Sequence, residues 1–253
     1  MREGKRITVI IPALNEARSI GQVIAAIPRW VDDIIVADNG STDGTAEVAR
    51  QHGARVVTAA QRGYGAACLA GIAALPREGA TADDVVVFLD GDYSDHPEEM
   101  HRLTDPILRG EADLVAGSRT LGACEAGALT PQQRFGNWLA CALIGLFWGR
   151  RYSDLGPFRA VRAATLDALQ MRDTGYGWMV EMQIKATRAG WRIAEVQVSY
   201  RCRIGRSKIS GTVKGVIGAG AKILWTIFRY ALVPPTPRAR CTETKSRMVY
   251  SRS

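Results

Sequence analysis

Val85-Val86-Val87-Phe88-Leu89-Asp90-Gly91-Asp92 runs from five consecutive apolar residues onto two carboxylates one residue apart. An apolar run of this kind, rich in β-branched residues, reads as a strand buried on both faces. The pattern repeats along the first half of the chain. Ile7–Ile11 is followed by Pro12-Ala13-Leu14-Asn15-Glu16, and Ile34–Ala37 by Asp38-Asn39-Gly40-Ser41-Thr42-Asp43-Gly44. Arg55–Thr58 leads to Gln61-Arg62-Gly63-Tyr64-Gly65, and Leu114–Ala116 to Gly117-Ser118-Arg119. Between these runs lie helical patterns over Asn15–Ile27, from Asp43 to Gln51, over Tyr64–Leu75, and from His96-Pro97-Glu98-Glu99 onward. The last opens with proline and acids in its first turn. Short buried strands alternating with helices predict an α/β fold: a mostly parallel sheet with helices on both faces. Ligands of such sheets bind at the carboxyl ends of the strands, so the five polar or glycine-rich segments are expected to gather around one crevice.

Asp90 and Asp92 are the sharpest feature of that crevice. Two carboxylates this close repel unless a cation lies between them. Hard oxygen ligands suit Mg²⁺ or Mn²⁺, ions that keep waters and also bind substrate phosphates.

The second half is less regular. Arg134–Gly149 contains the apolar run Trp138–Trp148, which as a helix is roughly 16 Å long, about half a bilayer core. Tyr176–Ala189 reads as a helix, Arg192–Tyr200 as a strand and Val213–Leu232 as a second apolar-rich helix. Residues 234–253 hold three prolines and many polar groups and are expected to be a disordered basic tail. The domain plan is an α/β unit over 1–210, an amphipathic helix over 211–233 and the tail.

The 253 residues are 47% hydrophobic and 23% charged, which excludes a chain disordered throughout. The net charge of +8 is uneven, because residues 201–253 hold 12 Lys or Arg and one acid. A basic quarter of this kind suits nucleic acid, an anionic membrane or a phosphorylated substrate. No nucleic-acid motif accompanies it. No G-x-G-x-x-G follows the first strand and no G-x-x-x-x-G-K-[ST] occurs, which disfavours dehydrogenase and P-loop readings. Five scattered cysteines without C-x-x-C fit a reducing compartment better than a disulfide framework or a zinc site. The start of the chain has no signal-peptide pattern and no run is long enough for a clear membrane span, so a cytoplasmic setting is expected.

Val9-Ile10-Ile11-Pro12-Ala13-Leu14-Asn15-Glu16, Ile34 to Thr45 and Asp90-Gly91-Asp92 together resemble a family 2 glycosyltransferase of the GT-A fold. Asp95-His96-Pro97-Glu98-Glu99, Gly117-Ser118-Arg119, Gly156-Pro157-Phe158-Arg159, Glu181 to Ala186 and Arg203 to Lys208 are similar to the branch that makes dolichyl- or polyprenyl-phosphate sugars. The resemblance implies an inverting, metal-dependent hexosyltransferase acting from a UDP- or GDP-sugar. It implies that Pro12, Leu14, Glu16 and Asp38 hold base and ribose, and that Gly63 and Gly65 let backbone approach the nucleotide. Asp90 and Asp92, with Ser94, would hold the metal; Arg203 and Lys208 would close over the diphosphate; Arg119 and Arg134 would bind the acceptor phosphate. Gly156-Pro157-Phe158-Arg159 departs from the branch, whose segment has Ser or Cys first and no proline.

A phosphate acceptor is ionised at pH 7, its second pKa being about 6, and needs positioning rather than a base. A hydroxyl acceptor on a lipid or small molecule needs a general base, for which Asp154 and Glu181 are candidates. A non-catalytic nucleotide- or membrane-binding module is the third possibility. On a helical wheel Lys214, Lys222, Arg229 and Trp225 lie within about 80° of one another, opposite Val216, Ile217, Ile223, Leu224, Ile227, Phe228 and Ala231. Such a helix can lie in an anionic membrane interface or pack on the sheet. Peripheral association with the inner face of the membrane is the expectation that a lipid-linked acceptor adds.

Overall fold

The computed structural model describes residues 1–205 and 213–233. Lys208, the tail over 234–253 and the side chains of Lys214, Val216 and Ile217 lie outside the described residues. The strands are β1 (Ile7–Ala13), β2 (Asp33–Asp38), β3 (Arg55–Thr58), β4 (Val85–Phe88), β5 (Leu114–Ser118), β6 (Arg159–Arg162) and β7 (Ile193–Gln197). The helices are α1 (Ile20–Ala26), α2 (Thr45–Gln51), α3 (Tyr64–Ala73), α4 (Met100–Leu108), α5 (Pro131–Trp148), α6 (Ala163–Leu169), α7 (Trp178–Ala189) and α8 (Val213–Leu232).

The strands form one sheet in the order β3-β2-β1-β4-β6-β5-β7. β1 to β4 run parallel, β7 runs parallel to β5, and β6 is antiparallel to both its neighbours. The mostly parallel sheet expected from the apolar runs is therefore present. β6 and α6 were not legible in them. β6 is four residues, Arg-Ala-Val-Arg, with too little apolar sequence between its two arginines to mark a strand, although Arg159 lies fully buried.

Both faces of the sheet are covered, and the period of two along each central strand shows how. Ile7, Val9 and Ile11 of β1, with Val85, Val87 and Leu89, pack beneath α1 and α4 with Ile20, Val23, Met100 and Leu103. Ile10, Val86 and Phe88 point the other way, towards Cys68 of α3 and Trp178 and Met182 of α7. Each fully buried side chain of this size contributes about 1.5–3 kcal/mol, and strands buried on both faces become continuous apolar runs. A third cluster joins Ala140, Cys141 and Ile144 of α5 to Val180 and Ile184 of α7 and Ile227 of α8.

Two helix starts differ from their periodicity. α1 begins at Ile20 rather than near Asn15, because Asn15 takes a left-handed conformation (φ 53°) and turns the chain into the crevice. α5 begins at Pro131, three residues ahead of Arg134. Thr130 and Gln133 form a reciprocal capping box there: the Gln133 N–H donates to Thr130 Oγ1 at 3.3 Å, and the Thr130 N–H to Gln133 Oε1 at 2.8 Å.

Candidate active site

The parallel run of β1, β2 and β4 brings their carboxyl ends to one side of the sheet. Asp92, just past β4, is almost fully buried. Its Oδ1 accepts the Ser94 N–H at 2.9 Å and the Ser94 hydroxyl at 2.5 Å. Its Oδ2 faces the Arg203 guanidinium at 2.9 Å. Asp90 is held by Tyr64, whose hydroxyl donates to Oδ1 at 3.1 Å. Asp95 brings a third carboxyl group: Oδ2 accepts the Asp90 N–H at 3.2 Å, and Oδ1 is buried without a hydrogen-bond partner.

This crowding has an electrostatic consequence. Burial and then Asp92 push the Asp90 carboxyl up to about 7, against the pull of Tyr64, Arg203 and Arg119. Burial, Asp90 and Asp92 hold Asp95 well above the usual carboxylate range. The site is short of positive charge, and its donors are hard oxygens, so the residues present fit a divalent cation. Arg203 already sets a positive charge against Asp92. Among the described residues no group of three or more His, Cys, Asp or Glu side chains is arranged to hold a metal ion alone. An ion here would complete its shell from water and a bound diphosphate. Ser94 donates to Asp92, so in this structure it orients that carboxylate.

The ends of β1 and β2 are laced together. Asn15 Oδ1 accepts the Thr42 N–H at 2.8 Å, and the Asn15 N–H donates to Ser41 Oγ at 2.9 Å. The Ala17 N–H donates to Asp43 Oδ2 at 3.1 Å, and the Glu16 N–H to Thr45 Oγ1 at 2.8 Å. Asp38 is buried at the end of β2 and accepts the Ser41 N–H at 3.3 Å. Pro12 is buried in β1 and Leu14 is half-buried beyond it. Glu16 is buried too, and its Oε1 lies 3.4 Å from Arg203. Glu16, Asp92 and Arg203 thus meet, although they come from three distant stretches of chain.

Gly63 and Gly65 admit a backbone, but it belongs to the protein. A Cβ on Gly63 would lie 2.1 Å from the Thr174 carbonyl oxygen, and one on Gly65 would lie 2.0 Å from that of Asp173. The Ala66 N–H donates to Thr174 O at 2.9 Å. Asn39 holds this loop from the other side, accepting the Gly63 N–H and donating to Gln61 O, both at 2.8 Å.

The two carboxylates considered as bases are already engaged. Glu181 is buried on α7 and accepts the Asp173 N–H at 2.7 Å, the Arg172 N–H at 3.1 Å and the Tyr230 hydroxyl at 2.8 Å. Lys185 pairs with it at 2.7 Å. It pins the loop under Gly63 and Gly65 to α7 and α8, and a base role does not fit that set of donors. Asp154 is 0% exposed. Arg119 grips it with Nε on Oδ2 and Nη2 on Oδ1, both at 2.7 Å, and the Arg119 N–H adds a third bond at 2.9 Å. Burial works against the Arg119 charge, but Asp154 holds the guanidinium above its ordinary value. Asp154 is therefore an orienting partner for Arg119 in this structure, not a free base. Arg119 also stacks on Tyr200, 5.0 Å from the ring centroid.

α5 is tied to this pair. Asn137 Oδ1 accepts the Leu155 N–H at 2.9 Å, and its amide donates to Ser153 O at 3.3 Å, gripping Asp154 from both sides. The outer face of α5 is apolar and uncovered: Trp138 is 62% exposed and Leu146 76%. Arg134 is exposed beside Phe135, its Nε 3.5 Å from Leu129 O. Phe147 meets Phe228 of α8 edge-on at 5.8 Å, and Trp225 of α8 is exposed as well. The basic stripe expected on α8 is divided, because Lys222 turns inward to Asp173 at 2.9 Å while Arg229 is exposed. No helix among the described residues is long and apolar enough to cross a membrane.

Several residues of the site escaped the sequence. Tyr64 sits inside the glycine stretch already singled out, and Asp95 follows Ser94 directly. Arg159 is buried in β6, donating to Met179 O at 3.2 Å and to Gly156 O. Its signal in the sequence was its place in Gly156-Pro157-Phe158-Arg159, which does not reveal that the side chain is buried.

Comparison with known proteins agrees with this arrangement. The profile of "Glycosyl transferase family 2" matches residues 8–168. An uncharacterized glycosyltransferase of Mycobacterium tuberculosis is 36% identical over 222 residues, covering 85% of this chain and 94% of the relative. The undecaprenyl-phosphate mannosyltransferase of Micrococcus luteus is 31% identical over 225 residues, covering 83% and 90%. The crystal structure of glucosyl-3-phosphoglycerate synthase from Mycobacterium tuberculosis with Mn²⁺, UDP and phosphoglyceric acid superposes with a TM-score of 0.72 at 28% identity, over 91% of this chain and 80% of that one. A mostly parallel sheet with acids gathered at its strand ends, and relatives matched over most of their length, lead to one assignment: the chain belongs to glycosyltransferase family 2 and is a glycosyltransferase of the GT-A fold.

Proposed function

We propose that this enzyme moves a hexose, with inversion, from a UDP- or GDP-sugar to a polyprenyl phosphate at the cytoplasmic face of a membrane. Pro12, Leu14, Glu16 and Asp38 line the place for base and ribose. Asp90 and Asp92 hold Mg²⁺ or Mn²⁺, with Ser94 setting Asp92. When bound, the ion supplies Lewis-acid stabilisation of the departing nucleoside diphosphate. Arg203 and Lys208 serve the diphosphate, and Arg119 and Arg134 the acceptor phosphate. A phosphate with a second pKa of about 6 needs no general base at pH 7, which suits a site where Asp154 and Glu181 are both engaged.

One observation carries the choice of acceptor. Asn137 ties the Asp154–Arg119 pair to α5, and Phe135 and Trp138 are exposed on that helix. An arginine oriented for an anion and an uncovered aromatic face on one support suit a phosphate carried by a lipid. Support also comes from the relative named an undecaprenyl-phosphate mannosyltransferase.

The test is incubation of the protein with UDP- and GDP-hexoses, Mn²⁺ and polyprenyl phosphate in vesicles. The expected product is a lipid-extractable sugar phosphate. No lipid-linked sugar from any donor would refute the proposal. A second reading, transfer to a small phosphorylated acceptor, is favoured by the structural relative that binds phosphoglyceric acid. It predicts label in a water-soluble product instead.

A further inference from the structure

Arg203 lies after β7, where the chain returns to the crevice. The Arg201 N–H donates to Ser94 O at 2.9 Å and the Ile204 N–H to Asp92 O at 3.0 Å, so residues 201–204 run along the turn that carries Asp92. From there the guanidinium reaches Asp92 Oδ2 at 2.9 Å and Glu16 Oε1 at 3.4 Å. Both carboxylates are buried, and Arg203 itself is only partly exposed. Its Nε is buried with no hydrogen-bond partner. The guanidinium is thus a built-in counter-charge for two buried acids.

A divalent cation on Asp92 would bring a second positive charge to an oxygen that Arg203 already occupies. Two cations in so confined a place repel, and a guanidinium that leaves Asp92 must find another anion or lose its pairing. A nucleoside diphosphate offers that anion. We infer that Arg203 competes with the divalent cation for Asp92 and so makes cation binding conditional on a diphosphate that takes the displaced guanidinium. The inference rests on the proposed metal role of Asp92. It gives Arg203 a task before the reaction: it keeps the acids paired while the donor is absent. By linkage, the cation and the diphosphate then strengthen each other's binding by the same factor.

The experiment follows free Mn²⁺ by its paramagnetic resonance signal while the full chain is titrated, with and without UDP. Wild type is expected to bind Mn²⁺ weakly alone and at least about tenfold more tightly with UDP, within the usual range of coupling between sites. Arg203→Met is expected to bind Mn²⁺ alone about tenfold more tightly than wild type, with a smaller further gain from UDP than wild type shows, the part that direct ligation by the diphosphate supplies. Arg203→Lys keeps a charge without the planar fork and should fall between them. It carries the comparison if Arg203→Met shows no cooperative unfolding. Mn²⁺ affinity without UDP that is unchanged or weaker in the folded variants would overturn the inference and leave the metal reading standing. Wild type that binds no Mn²⁺ even with UDP would overturn both.

Discussion

At the carboxyl ends of β1, β2 and β4, charged side chains are buried; along the outer faces of α5 and α8, aromatic ones are exposed. Asp92, Asp95, Glu16 and Asp38 are all withdrawn from water. Phe135, Trp138, Trp225 and Phe228 are all open to it. Each arrangement goes against the usual sorting of residues, and each is costly in isolation. The first is sustained by hydrogen bonds and by Arg203, and it suits a cation and a diphosphate. The second has no covering element among the described residues, and it suits an apolar partner. Arg119 joins the two: Asp154 orients it on the acid side, and Asn137 ties that pair to the apolar helix.

The contrast breaks most sharply at Asp92. Asp92→Ala is expected to lower turnover about a thousandfold or more, the equivalent of several kcal/mol of lost charge stabilisation, measured as label transferred per minute at saturating Mn²⁺. Full activity would mean that the buried acids do not serve the reaction. Arg119→Lys keeps the charge and loses the fork. Its kcat/KM for acceptor should fall about 10- to 100-fold, as for one or two charged hydrogen bonds, with donor KM unchanged. An equal loss for donor would move Arg119 to the other side of the comparison. Replacing Phe135, Trp138 and Trp225 together by Ser should weaken sedimentation with anionic vesicles about tenfold or more, since each buried aromatic ring contributes about 1.5–3 kcal/mol. The melting temperature should hold, because these rings are exposed in the folded chain. A large fall in melting temperature with unchanged vesicle binding would make the face a packing surface.

The last effect is one of pH. The Asp90 carboxyl is raised to about 7 from the ordinary 3.8, so the folded chain binds that proton more tightly than the unfolded one. Its stabilising contribution is complete below the ordinary value and is lost as pH rises through about 7. Metal-free Asp90→Asn should therefore melt progressively higher than metal-free wild type between about pH 4 and pH 7, by about ten degrees at pH 7. A constant gap across that range would mean that Asp90 is an ordinary carboxylate.

Much of this was legible in the sequence because it is local. The runs around Ile10 and Val87 announce strands buried on both faces, and Asp90-Gly91-Asp92 announces an acid cluster at a strand end. What was not legible depends on long-range pairing. Arg119 and Asp154 each stand out as polar residues, but only the fold shows that they hold each other, which removes Asp154 as a free base. Arg203 reaches Asp92 and Glu16 because β7 pairs with β5 and returns the chain to the crevice. Gly63 and Gly65 signal a close approach without naming what approaches, here the carbonyls of Thr174 and Asp173. β6 was hidden because it is only four residues long, with an arginine at each end and two apolar residues between.

The central claim is that the acceptor is a lipid phosphate. One tube containing the enzyme, labelled UDP- and GDP-hexoses, Mn²⁺, vesicles of polyprenyl phosphate and free phosphoglyceric acid tests it directly. The account predicts that the label leaves the water phase in a polyprenyl-phosphate sugar. Label that stays in water on the phosphoglyceric acid, with none in the lipid, would contradict it.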